Sequence, residues 1–154
     1  WDKNNKILKE YEKKNYEFAT CKELFIKNIS IEKCKTYFVF KKKIRKLKKF
    51  HECRNHKDII LFLNKKISLY KNIKKNGVRI NLSSNIQFLI DRNLNLVKIN
   101  SGNHRFAISR ILKLKKIPVE VKLIHLNCFN RNSNKKIKLK DVNKIINKVA
   151  NKYA

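Results

Sequence analysis

Methionine is absent from the sequence, proline occurs once, and glycine occurs only at Gly77 and Gly102. With so little glycine there is no G-x-G-x-x-G fingerprint and no P-loop, so neither standard phosphate-cradling loop is present. Pro118 stands alone and no low-complexity stretch divides the 154 residues, a length suited to one domain with a sizeable core. Acidic residues number only 11 and form no recognisable motif for divalent metal ions. Cys21, Cys34, Cys53 and Cys128 are scattered without a C-x-x-C pair, which argues against a disulfide scaffold and for reduced thiols in a cytoplasmic setting. No window approaches the run of about 18 apolar residues that a membrane span needs, and none near the start resembles a signal peptide's core. A chain that starts at Trp1 and lacks methionine predicts a reading frame that begins upstream.

Cations, in contrast, abound, and the formal net charge is +29. A surface this basic is the electrostatic footprint of polyanion binding. Yet lysines outnumber arginines 33 to 7, and lysine, asparagine and isoleucine make up nearly half the chain, the bias that an AT-rich genome imposes through its codons. Arginine, with its planar fork, is the better match to phosphate. The composition is compatible with either origin of the charge.

Residues 1–56 carry weak signals. "NKILKEYEKK" (5–14) has faint helical character, "CKELFIKNI" (21–29) reads as a short amphipathic helix, and "TYFVF" (36–40) as a strand of aromatic and β-branched residues. The charge run "KKKIRKLKK" (41–49) reads as a solvated face or loop rather than a dedicated binding strip. "HECRNH" offers His51, Cys53 and His56 as ligands but lacks a fourth and fits no zinc spacing, so a polar loop is expected and no metal is assigned.

From Asp58 the pattern sharpens. Ile59, Phe62, Leu63, Lys66, Ile67, Tyr70, Ile73 and Lys74 recur at helical spacing, with Asp58 placed to cap the start and Gly77 the end. "NIQFLID" (85–91) and "NLVKI" (95–99) predict a hairpin whose turn begins at Asp91. After "NSG" comes a helical run with Phe106, Ala107, Arg110, Ile111 and Leu114 on one broad face. "IPVEVKLI" (117–124) then predicts a strand with Ile117, Val119, Val121 and Leu123 on one face and Pro118 near its start. The last segment, "KDVNKIINKVANKYA", has Val142, Ile145, Ile146, Val149, Ala150 and Tyr153 on a single stripe, an amphipathic helix docked on the core.

These elements predict an α+β fold, a small mixed β-sheet packed by helices. Residues 1–56 form a helical N-terminal extension, 57–126 the core, and 127–154 a connector with a C-terminal amphipathic helix.

"NSGNHRFAISRI" (100–111) is where the chemistry concentrates. A glycine between a strand and a helix lets the backbone approach a ligand closely. The first amides of that helix lack intrahelical partners and carry the positive end of its dipole, an anion site. Arg105 can bind a phosphate in bidentate fashion, His104 can donate a hydrogen bond or move a proton near neutral pH, and Ser101 or Asn103 can cap the helix or bind the ligand. Adjacent helical side chains diverge by about 100 degrees, so His104 and Arg105 are not expected to face one atom. A capped helix with an exposed His and Arg accounts for the same residues.

"SGNHRFAISRILKLKKIPVEV" resembles the G-x-H-R helix and following I-P-V strand of the ParB/sulfiredoxin-like superfamily. The likeness extends over about 70 residues from Asp58 to His125, through "SLYKNIKKNG", "IQFLIDRNLNLVKINSGNHRFAI" and "IPVEVKLIH", and is nearest to ParB-like domain proteins of uncharacterised role. It implies that Ser101, Gly102, Asn103, His104 and Arg105 hold the phosphate of a nucleotide, ATP or CTP with Mg2+, with His125 at the end of the last strand on the same rim. Sulfiredoxin activity requires a cysteine immediately before the motif's histidine; that position is Asn103, so this activity is discarded. Sequence-specific DNA binding in the superfamily uses a helix-turn-helix domain, for which the roughly 30 residues after Ile124 are too few. A nuclease would need carboxylates that the chain lacks.

Two functions follow. One is a nucleotide-binding domain, a phosphotransferase or NTPase with no catalytic base assigned, since Asp91 suits a hairpin turn better. The alternative is a nonenzymatic module that binds nucleic acid nonspecifically through its lysines. A scaffold with a vestigial anion site is a third.

Overall fold

The computed structural model describes residues 15–80, 85–99, 101–129 and 136–153, among which lie five α-helices, three short strands and two short 3-10 turns. The class is α+β with a small mixed sheet, as expected. Two units are distinguishable, a helical one from the described parts of Glu12–Arg79 and Asn103–Leu114 and a sheet unit from the described parts of Ile80–Gly102 and Lys115–Ala154. The helix expected over 5–14 lies outside the described residues.

In the helical unit, α1 (Tyr16–Phe25) starts at Asn15, whose side chain accepts the amide protons of Glu17 and Phe18. α2 (Lys35–Leu47) overturns the expected strand at 36–40 and absorbs most of the charge run after it. The physical reason is spacing: Thr36, Tyr37 and Phe40 are buried and Ile44 packs beside them, a helical stripe that outweighs the local β preference of "TYFVF". α3 (His56–Asn76) begins two residues before Asp58. Its cap is Asn55, which accepts the Asp58 amide, while the Asp58 carboxylate turns back to the amide of Arg54. Gly77 ends α3 at φ +69, its amide bonded to the Ile73 carbonyl. α4 (Asn103–Ile111) buries Phe106, Ala107, Ile108 and Ser109.

Two apolar clusters hold these helices. Leu24, Cys34, Tyr37, Phe40, Cys53, Ile59 and Leu63 form one; Cys21, Ile73, Ala107 and Ile108 form the other, with Phe25 and Tyr70 stacked at 4.0 Å. The buried Thr20 hydroxyl donates to the Tyr16 carbonyl and accepts from Thr36 at 2.5 Å, which ties α1 to α2.

In the sheet unit the strand order is β2-β1-β3, with β1 (Gln87–Ile90) antiparallel to β2 (Leu96–Lys98) and parallel to β3 (Glu120–Ile124). Asp91 does begin the hairpin turn. Its fully buried carboxylate accepts from the Asn93 amide, the Asn95 amide and the Asn95 side chain. β3 departs from expectation. It starts only at Glu120, and its register slips where Phe88 and Leu89 face Val121 and Leu123. The slip leaves Lys122 as an extra residue, so the alternation breaks: Val121 and Ile124 pack inward and Leu123 points out, 58% exposed. α5 (Leu139–Tyr153) docks through Ile145 and Val149 against Ile90, and Tyr153 accepts the amide of Leu96. Among the described residues no helix is long and apolar enough to cross a membrane.

Candidate functional site

Gly102 sits in the sheet unit at φ +67, the left-handed region that favours glycine. A Cβ on it would stand 2.7 Å from the Asn85 carbonyl oxygen and the Ile86 Cα. The missing side chain thus lets the backbone ahead of β1 run directly against the strand-to-helix connection. Ser101 belongs to the same junction: its hydroxyl donates to the Asn85 carbonyl at 3.1 Å and its amide to the Ile99 carbonyl. The hydroxyl proton is thus committed to Asn85. His125 follows β3, its amide bonded to the Ile90 carbonyl and its Nδ1 accepting the Asn127 amide at 3.2 Å.

The remaining three candidates open α4 in the helical unit, each partly buried and each with a different neighbour. The Asn103 side-chain amide approaches the buried carboxylate of Glu17 at 3.5 Å. The His104 ring meets the edge of Phe62 at 5.9 Å between centroids. Arg105 Nη1 donates to the Arg79 carbonyl at 3.4 Å, a long bond that leaves most of the guanidinium's donors for other partners. Helical geometry accounts for this divergence, as the sequence predicts.

His104 has unusual electrostatics. Burial pushes its imidazole down to about 3, with the charges of Lys66 and His51 acting in the same direction. The ring is therefore uncharged at neutral pH and keeps one N–H to donate. Lys66 lies over the same Phe62 ring at 4.5 Å, and burial lowers its ammonium too. A cation thus stands beside His104 near the first turn of α4.

The chain matches no protein-family model, no curated protein and no solved structure.

Sequence reasoning passed over Lys66 and Glu17. The signal for Lys66 was visible, because a lysine four residues after Phe62 interrupts the apolar stripe of α3. Glu17 carried none, since its burial depends on the distant α4. Cys21, also near Lys66 and Glu17, is no nucleophile: burial pushes its thiol up to about 12. The three potential ligands of "HECRNH" go separate ways. Cys53 is buried in the core, His56 Nδ1 bonds to Tyr37 Oη at 2.6 Å, and His51 Nε2 bonds to Tyr16 Oη at 3.2 Å.

Proposed function

We propose that this chain is a ParB/sulfiredoxin-like domain that binds the phosphates of a nucleoside triphosphate, ATP or CTP, through the stretch Ser101–Arg105, for phosphoryl transfer or hydrolysis. The observation that supports this most is the pairing, at the first turn of α4, of an uncharged His104 with Lys66, both against the Phe62 ring; Arg105 leaves the same turn toward Arg79. Arg105 supplies a planar fork, Lys66 a partly desolvated point charge, and His104 a donor that adds no positive charge. Amides at a helix start favour the same anion. The described residues bring no three carboxylate, imidazole or thiol groups together, so Mg2+ would arrive on the phosphate oxygens.

Thermal unfolding with ATP, ADP, CTP and GTP, each with and without Mg2+, tests the reading. A nucleotide present at about 100 times its Kd stabilises the fold by about 2.7 kcal/mol, a shift of several degrees. That shift should vanish in Arg105→Ala and shrink in Lys66→Met. The absence of any shift with all four nucleotides would leave the anion site vestigial and the proposal wrong.

A further inference from the structure

We propose that the outward face of α2 binds single-stranded nucleic acid, with Lys35, Lys42 and Arg45 on its phosphates and Phe38 stacked on an unpaired base. The face follows from the burial pattern. Thr36, Tyr37 and Phe40 point into the helical unit, and a rotation of about 100 degrees per residue puts Lys35, Phe38, Lys42 and Arg45 on the opposite side. All four are exposed, Phe38 to 56%. Their spacing of three, four and three residues aligns them in one row about 15 Å long, at about 1.5 Å per residue.

Residues 35–49 contain eight cations, no acid and no asparagine. Among the described residues, the ion pairs His56–Glu32 and Lys122–Glu120 leave the row untouched. An aromatic ring set between cations is the arrangement that holds single strands, where phosphates track the charge and exposed bases stack. In a duplex the bases offer no free face to Phe38. A bilayer would need one continuous apolar face; Tyr37, Phe40 and Ile44 are committed to the core, and the exposed Phe38, Val39 and Leu47 do not share one stripe of the helix.

The inference is independent of the nucleotide site, and one set of variants separates them. Fluorescence anisotropy of the full chain with a labelled oligouridylate of about 20 nucleotides should show binding that weakens steeply with salt. Lys42→Glu/Arg45→Glu should raise Kd at least about tenfold and make the salt dependence shallower by about 1.4, at about 0.7 for each phosphate contact. Lys144→Glu/Lys148→Glu on α5 changes the net charge equally and should raise Kd less than about threefold. Phe38→Ala should weaken the single strand several-fold while leaving weak duplex binding unchanged. Nucleotide protection should persist in the α2 variants. If the glutamate pair fails to fold by circular dichroism, Lys42→Gln/Arg45→Gln replaces it, with a smaller loss in the same direction. Equal losses in the two double variants, duplex bound as tightly as single strand, or capture by phosphatidylserine vesicles without oligonucleotide binding would each overturn the proposal.

Discussion

The stretch Ser101–Arg105 and helix α2 are both basic candidates for anion binding, but they are built in opposite ways. In the first, single residues are fixed by backbone and neighbours: Gly102 against Asn85 and Ile86, His104 against Phe62, Arg105 near the Arg79 carbonyl. In the second, many exposed cations stand on a rigid support and share the work. A net charge of +29 therefore describes no single property of the chain. Under the two proposals, one region depends on geometry and on each of its residues, and the other on a sum of cations and the helix that supports them. Substitutions should separate the two.

The largest effect is expected beneath α2. Phe40 is 1% exposed and packs with the rings of Phe50 and Phe62, so Phe40→Ala should cost about 3–5 kcal/mol in chemical denaturation. A loss under about 1 kcal/mol would mean that α2 is not anchored by its core and that its outward row has no fixed spacing.

Next comes the glycine. Ala at 102 meets both a left-handed φ, which costs about 1–2 kcal/mol, and backbone atoms that cannot step aside, which adds about 1–3. Gly77→Ala is the internal comparison: Gly77 has nearly the same φ, with an extended ψ of −174, but nothing within 4 Å, so it meets a backbone cost and no steric one. Similar melting temperatures for the two variants would show that close approach at Gly102 does not matter.

His104 sharpens the contrast through pH. Its folded value of about 3 lies below the ordinary 6.5, so below pH 6.5 the unfolded chain takes up a proton that the fold refuses. The stability it contributes is complete above pH 6.5 and is lost as pH falls from there toward 3, by about 2 kcal/mol at pH 5. His104→Gln should flatten the pH dependence between 7 and 5 relative to the unaltered chain. Identical slopes would mean that the imidazole titrates freely and is no neutral donor.

What the sequence revealed follows the same division. α3 was legible because its apolar stripe runs through 21 residues and ends in a glycine, and the hairpin was legible because Asp91 makes its contacts within four residues. α2 was misread because "TYFVF" is a β-type run when taken alone, and its helical period shows only when it is joined to the lysines that follow. The slip in β3 depends on its pairing with β1, about 30 residues away, and could not be read locally. Gly102 stood out by rarity, yet the backbone it admits comes from Asn85 and Ile86, a non-local fact. Local chemistry announces itself in a sequence, whereas close approach between distant segments does not.

The smallest effect returns to α2. Lys42 is exposed and, among the described residues, has no carboxylate partner, so Lys42→Ala should change stability by less than about 0.5 kcal/mol. It removes one of eight cations between residues 35 and 49, and the others remain to hold phosphate, so oligonucleotide affinity should fall only about two- to threefold. Arg105→Ala, also the loss of one cation, should abolish nucleotide protection outright. If Lys42→Ala instead eliminated oligonucleotide binding, α2 would be a site of fixed geometry like the first turn of α4, and the contrast between position and sum would fail.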